Sequence, residues 1–406
     1  MKKIYFILMT VALFSASQIF AGGYQVRLQG NKQNGFGLIG TPLNNGASSM
    51  FYNPGALAFA EKKFNIDFGA SFIASYMTYQ NPEGTYTAES DNPLGTPFYF
   101  YGSWKVSKLI SVGLSAYTPF GSTAKWDPNW AGKFLIQDIS LKAIFIQPTI
   151  SFNIDDVFGI GIGFVYSTGG VDLNKGLNVS NNSSVNLNGN ASGMGFNVGL
   201  FFKATESLTF GVDYRSKINM KLDDGTATFT IPQSLEGLLG KDHTFDAELP
   251  LPSSLDFGVA YQFSPKLLLA FELDWVMWSA YESLDFTFDN DDNSPLNSNN
   301  PREYSDSFIP RFGIEYALMD NLTIRGGYYY DPSPANENYF TPETVTLNSN
   351  AFTLGLTWSP LEFLDVDISY LQTMGNKSTM RYEPDNFEGI YKTVAYIPGF
   401  GLSFKF

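Results

Sequence analysis

No cysteine occurs among the 406 residues, and histidine occurs once. Disulfide staples and thiolate metal sites are therefore excluded, which fits an exported protein held by a closed hydrogen-bond network. The lone His243 lies in a predicted loop without a recognisable nucleophile arrangement, so the sequence reads as no enzyme and no catalytic residue is assigned. Basic residues are scarce: Lys and Arg total 25 against 39 Asp and Glu, a net charge of -14 that argues against nucleic-acid binding. Also missing are a Pro/Gly/Ser linker that would divide the chain into domains and, beyond the N-terminus, any apolar run long enough for a transmembrane helix. Yet 44% of residues are hydrophobic and 16% aromatic. The hydrophobicity is distributed by alternation instead.

At the N-terminus, Lys2 and Lys3 precede the apolar run Ile4 to Phe14, followed by Ser15, Ser17 and Ala21. This order is that of a secretory signal, with cleavage expected after Ala21, although Ile19, two positions before Ala21, is bulkier than the small residue usual there. At the other end, Tyr396, Phe400, Leu402, Phe404 and Phe406 share one face of a strand opposite Gly399, Gly401, Ser403 and Lys405. A period of two ending in an aromatic, on an exported chain, predicts a transmembrane β-barrel, the only sheet that leaves no backbone group unpaired in lipid. The expected location is the outer membrane of a Gram-negative bacterium, crossed many times by one monomeric chain.

Alternation predicts strands at 62–79, 97–106, 109–119, 140–154, 158–173, 193–203, 208–222, 252–263, 267–288, 305–316, 322–330, 350–358, 364–373 and 392–406, about fourteen in all. In the first, Phe64, Ile66, Phe68, Ala70 and Phe72 oppose Asn65, Asp67, Gly69 and Ser71; Leu364, Val366, Ile368 and Tyr370 likewise oppose Asp365, Asp367 and Ser369. Lipid outside and a polar lumen explain that split. Short turns such as Ser107–Lys108 and Asp155–Val157 follow even-numbered strands and long polar loops follow odd ones, which puts the short turns on the periplasmic side. A soluble β-sandwich or β-helix is the rival architecture.

Residues 22–60 do not alternate and are rich in Gly and Asn. Their apolar residues, among them Leu38, Ile39, Met50, Phe51 and Leu57, need burial, and the barrel interior is the nearest place. The expected organisation is a signal peptide at 1–21, a plug or hatch at 22–60 and an all-β barrel at 61–406. Within the plug, Gly35, Gly37 and the run Asn44 to Leu57, containing Asn53, Pro54 and Gly55, resemble the hatch signature of the FadL-type long-chain fatty acid transporters. That signature normally reads Asn-Pro-Ala, so Gly55 is a departure. Further segments carry the resemblance: Pro119, Phe120 and Gly121 with Trp126 and Trp130; Leu141 to Ile150 with Pro148; Leu251 to Tyr261 leading to Trp275 and Trp278; and Arg311 to Pro334. The resemblance implies a fourteen-stranded barrel plugged by a hatch, taking up long-chain fatty acids or, in some relatives, aromatic hydrocarbons, with no cofactor.

It also implies a third strand kinked inward to open a side window, and the matching stretch is Ile110 to Gly121, with Gly113, Pro119 and Gly121 as lateral-gate candidates. The rival reading is a Pro and Gly that merely end a strand. Candidates for holding a carboxylate head group are Arg215, Lys217, Arg311 and Arg325 on the lumenal parity, each of which is expected more often to pair with lumenal acids such as Asp67, Asp213, Glu272, Asp274, Glu315 and Asp367. The amine of the first mature residue, near Gly22, is a further candidate. Phe120, Trp126, Trp130 and, at helical spacing, Leu235, Leu238 and Leu239 form either an outer capture surface or loop-on-loop packing. Asp289, Asp291, Asp292 and Asn293 fail the EF-hand spacing and read as a solvated acidic loop bridged by divalent ions to lipopolysaccharide. Alternative functions are a diffusion porin for polar solutes and a surface receptor or adhesin.

Overall fold

The structure, a computed structural model, describes residues 23–180, 182–292 and 294–406, so the expected signal peptide and Gly22 lie outside the described residues. The strand runs seen in the sequence close into a fourteen-stranded antiparallel barrel. Its first strand, β1 (Phe64–Ser71), continues as Ala74–Gln80. There follow β2 (Phe98–Lys105), β3 (Ile110–Lys125), β4 (Asp138–Ile154), β5 (Phe158–Gly176) and β6 (Ser184–Lys203). Next come β7 (Leu208–Arg215, continued as Ile218–Thr230), β8 (Asp242–Leu251, continued as Ser254–Ser264), β9 (Leu267–Val276) and β10 (Ser307–Met319). The last four are β11 (Leu322–Asp331), β12 (Ser349–Leu361), β13 (Leu364–Tyr382) and β14 (Phe387–Lys405). Each pairs with its neighbour, and β14 returns to β1 with Asn65 opposite Lys405 and Ser71 opposite Gly399, so the sheet has no free edge.

Near the short turns the wall follows the predicted parity. In β5, Phe158, Ile160, Ile162 and Phe164 face out, while Gly159, Gly161 and Gly163 face in. Toward the long loops the phase of chemistry reverses on the same strand: Asp172 and Asn174 face out and Val171 and Leu173 face in. Adjacent strands do the same, with Gln147, Thr149 and Ser151 inside β4 at one end and Ile139, Leu141 and Ala143 inside at the other. A strand that leaves the bilayer meets water outside, so its outward residues turn polar, and its inward residues are free to build an apolar interior. This reversal explains why the strands extend past their predicted ends, to Lys125, Gly176 and Tyr382, and why β6 begins at Ser184 and β14 at Phe387. The ninth strand is corrected the other way: it stops at Val276 rather than 288, because the chain turns inward through Trp278–Ala280 and buries Trp278 against Tyr24.

Three strands change inner-face parity through an extra residue. In β3, Tyr117 pairs with Phe145 and Phe120 with Ala143, so two residues, Thr118 and Pro119, oppose the single Ile144 and a bulge forms there. In β7 and β8 together, pairing breaks between Arg215 and Ile218 and between Leu251 and Ser254.

Residues 23–60 lie inside the ring of strands, with most side chains from Tyr24 to Ala60 buried. They form only short helical pieces, α1 (Asn31–Asn34), α2 (Ser49–Tyr52) and two 3-10 turns, Gly46–Ser48 and Pro54–Phe59. Asn53 caps the second turn: its Oδ1 accepts from the Gly55 N–H at 2.9 Å, while its Nδ2 donates to the Thr41 and Leu200 carbonyls at 2.8 and 2.9 Å. The turn presses backbone to backbone on β5 and β6. A Cβ at Gly55 would lie 2.7 Å from the Gly199 oxygen and 2.9 Å from that of Gly159, so the alanine of the resembled signature has no room here. Replacing Gly199 by Val, whose Cβ would stand 2.2 Å from Asn53 Oδ1, is expected to displace this turn and raise steady single-channel conductance in planar bilayers, whereas Leu200→Val on the lipid-facing side leaves it at the wild-type level.

Candidate functional site

The inward apolar residues above the phase reversal converge on one narrow apolar cavity of about 70 Å³. Its walls come from consecutive strands: Ile139, Leu141 and Ala143 of β4, Val171 and Leu173 of β5, Leu187 of β6, Met220 and Leu222 of β7, and Leu249 and Leu251 of β8. Tyr24 and Phe120 lie at the end nearest the N-terminal segment, and Tyr281, Leu284 and Phe286 of the long β9–β10 connection close the outer side. Tyr24 is wedged edge-on against Trp278 and Tyr281 with centroids 4.9 and 5.6 Å apart, and its hydroxyl donates to the Pro250 carbonyl. Burial raises the Tyr281 and Tyr304 hydroxyls above the ordinary phenol range, against the pull of nearby Arg302, so both remain neutral.

A second, polar cavity of about 50 Å³ adjoins the first, sharing Leu173, Leu187, Leu284, Phe286 and Glu343. It is lined by Lys175, Arg302, Asn300, Tyr382 and Asp385. Arg302 is neutralised by Glu343, donating through Nη2 at 2.6 Å and Nε at 3.2 Å. Lys175, next in inward parity after Leu173, forms no ion pair among the described residues. An apolar chamber ending beside an unpaired ammonium is suited to an amphiphile.

The head-group candidates lie elsewhere. Arg215 sits below Tyr24's level, where it donates to the Tyr117 hydroxyl at 3.0 Å and the Phe51 carbonyl at 2.7 Å, beside Asp213 at 3.9 Å. Arg311 joins a buried cluster in which Arg27 of the N-terminal segment contacts Asp256, Glu272 and Asp274 at 3.1, 2.9 and 3.3 Å. Arg325 pairs with Glu315 at 2.6 Å in a wide polar vestibule at the short-turn end of the barrel. Lys217 is a correction: the pairing break after Arg215 turns it outward, where it is exposed. Of the acids named in the sequence reading, Asp213, Glu272, Asp274 and Glu315 take up the lumenal arginines, whereas Asp67 accepts from the Ser48 N–H and Asp367 from the Thr357 hydroxyl.

Of the loop candidates, Phe120 lines the pocket. Trp126 and Trp130 do not: they stack at 4.3 Å, 2% and 1% exposed, in a separate aromatic core under the outer loops, where their indole N–H groups donate to Pro342 and Ile136 carbonyls. Leu235, Leu238 and Leu239 belong to α3 (Gln233–Leu239), and Leu235 is not part of the pocket lining. Gly113 receives Met50 on its inner side, and Pro119 and Gly121 bond to the N-terminal segment through Val26 N–H to Pro119 O at 2.7 Å and Gly121 N–H to Tyr24 O at 3.0 Å. Beyond Tyr117, opposite Tyr99, β3 has no β2 partner, and Gln25 bridges Phe120 in its place. Gly35 and Gly37 rest on β11 and β12, the latter donating to Thr353 Oγ1 at 2.9 Å. Around the acidic loop, no cluster of metal-ligating side chains occurs among the described residues, and His243 approaches Asp289 at 2.6 Å. The pocket leucines and Lys175 were missed by the sequence reading. The available signal was an apolar residue at lumenal parity beyond a polar one on the same strand.

Arg27 bridges three carboxylates whose only other described guanidinium partner is Arg311. Arg27→Met is expected to destabilise the protein by about 3–5 kcal/mol, read as a lower urea midpoint for loss of heat-modifiable mobility in gels.

The family model described as "Outer membrane protein transport protein (OMPP1/FadL/TodX)" matches residues 12–406. A 47 kDa outer membrane protein of Pasteurella multocida is 22% identical over 391 residues, covering 89% of this chain and 88% of that one. A long-chain fatty acid transport protein of Escherichia coli is 19% identical, covering 67% and 68%. Among solved structures, a Pseudomonas aeruginosa FadL homologue superposes with a TM-score of 0.83 at 19% identity, covering 95% of this chain and all of that one (100%). The Pseudomonas putida toluene transporter TodX gives 0.75 at 16% identity over 96% and 100%. The chain therefore belongs to the OMPP1/FadL/TodX family of outer-membrane transporters for hydrophobic compounds, which are not enzymes.

Proposed function

We propose that this protein mediates passive uptake of long-chain fatty acids or similar single-tailed amphiphiles, held in the apolar pocket with an anionic head group beside Lys175. The observation that carries the reading is the continuity between the chamber lined by Leu173, Leu187, Leu222 and Leu249 and the polar cavity holding an unpaired lysine. Each buried methylene contributes about 0.8 kcal/mol, so a sixteen-carbon tail gains on the order of 10 kcal/mol. Binding is thus easy and release is the demanding step. Tyr24 belongs to the pocket lining, and its neighbours Gln25 and Val26 occupy the unpaired flank of β3. A shift of this stretch, acting as a hatch, spoils the pocket and uncovers the wall beside Pro119 in one movement, which supports lateral exit and makes the state that binds ligand differ from the state that releases it. The outer loops around Tyr281 and Phe286 make the first contact with ligand.

Two substitutions test this. Leu222→Trp fills the chamber and is expected to reduce uptake of both palmitate and a neutral hydrocarbon such as toluene by about tenfold or more, with normal barrel assembly. Lys175→Gln is expected to weaken palmitate binding about tenfold, the scale of one charge-assisted hydrogen bond, and to leave toluene unchanged. Unaltered palmitate binding in both variants refutes the assignment.

A further inference from the structure

The two ends of a barrel chain meet last, because β1 and β14 are the one neighbouring pair not joined by a turn. Their ladder runs from Asn65 opposite Lys405 to Ser71 opposite Gly399, contacts more than 300 residues apart in sequence. Closing so long a loop carries a large entropic cost before any contact repays it. Half of the inner face of this seam is also bare: below it Asn65 lies opposite Lys405 and Asp67 opposite Ser403, but Gly69 lies opposite Gly401 and Ser71 opposite Gly399, so this stretch lacks the cross-strand side-chain pairs that normally fasten neighbouring strands.

Helix α1 lies on that bare strip. A Cβ at Gly399 would come 2.1 Å from Asn31 Oδ1, and one at Gly401 would come 3.0 Å from Asn31 Nδ2. Asn31 bonds in both directions across the seam. Its Oδ1 accepts from Ser369 Oγ of β13 at 2.7 Å, and its Nδ2 and backbone N–H both donate to the Tyr99 hydroxyl of β2 at 3.1 Å. Tyr99 itself reaches this point over Gly69 and Gly401. On either side, Asn34 donates to Ser71 Oγ of β1 at 3.1 Å, and Lys32 meets Asp365 of β13 at 2.6 Å, the same carboxylate that holds Lys405 of β14. The polar groups of α1 thus tie β2 and β1, from the start of the barrel, to β13 and β14, from its end. Asn31, Asn34, Ser71 and Ser369 are all at most 3% exposed, so each bond forms away from competing water.

We infer that the N-terminal segment has a second function, independent of transport: α1 is an internal staple that fastens the closing seam of the barrel. The turn at Pro54 and Gly55 covers a comparable glycine patch on β5 and β6, but those strands are consecutive in sequence and pair without help. At the seam, by contrast, the segment preceding β1 carries donors and acceptors that receive the last hairpin to arrive.

The natural absence of cysteine makes the test direct. Ile66→Cys with Phe404→Cys places a thiol pair on Cα partners across the seam, and Phe271→Cys with Phe312→Cys places one across β9 and β10 as a control. Disulfide formation is followed by pulsed oxidation while the full chain refolds from urea into detergent micelles. With Asn31→Ala, Lys32→Ala and Asn34→Ala combined, the seam disulfide is expected to form about tenfold more slowly while the control pair forms at its usual rate. Tyr99→Phe, which leaves the N-terminal segment unaltered, is expected to slow the seam pair alone by a smaller factor. Equal rates at the seam with and without the substitutions overturn the proposal. So does equal slowing of both pairs, which marks a general folding defect.

Discussion

Hydrocarbon offers backbone amides no partner, so a sheet in the outer membrane has to close on itself, and every other property of this chain is arranged around that closure. The strand ladder supplies the hydrogen bonds, and lipid fixes which residues face outward. What remains free is the inner surface and whatever rises above the bilayer. The protein uses the first to seat its N-terminal segment and the second to build its pocket.

Both uses depend on a change in what alternation means along a strand. Within the membrane β4 to β8 point large apolar residues at lipid and small or polar ones inward, where glycines such as Gly159 and Gly199 let the backbone of residues 53–55 lie directly on the wall. Above it the same strands point Leu173, Leu187 and Leu249 inward and Asp172, Asn188 and Glu248 outward. A barrel of this family, with its N-terminal segment seated inside at one level and an apolar interior at the next, follows from that reversal. The pairing breaks in β3, β7 and β8 occur where the two regimes meet.

Charge inside the barrel is largely spent on fixing structure. Arg27, Arg215 and Arg311 are committed to carboxylates, hydroxyls and carbonyls around the N-terminal segment, and Glu272 also accepts the Gly40 and Thr41 N–H groups at 3.1 and 2.9 Å. A buried arginine deprived of these partners would be very costly, which is why they hold rather than exchange. Lys175 stands apart because, near the outer end of β5, it shares a cavity with Glu343 and Asp385 without forming an ion pair to either.

Strand number, the outer-membrane barrel and the buried state of residues 23–60 were legible in the sequence, because lipid imposes a period of two over many residues and that signal survives without knowledge of any contact. Strand ends were less legible, since β6 before Met194 and β13 after Thr373 run above the bilayer, where polar residues no longer exclude the outer face. The site was least legible. That Arg215 and Arg311 serve ion clusters, that Lys217 points outward and that Trp126 and Trp130 close a loop core are facts of pairing and bulge geometry, set by strands distant in sequence. One residue type was fixed at both levels: Gly55 departs from the expected alanine in the sequence, and only the approach of β5 and β6 supplies the reason. The sequence by itself determined a barrel, because the solvent dictates the pattern; the tertiary structure decided the pocket, because it depends on which inward residues happen to meet.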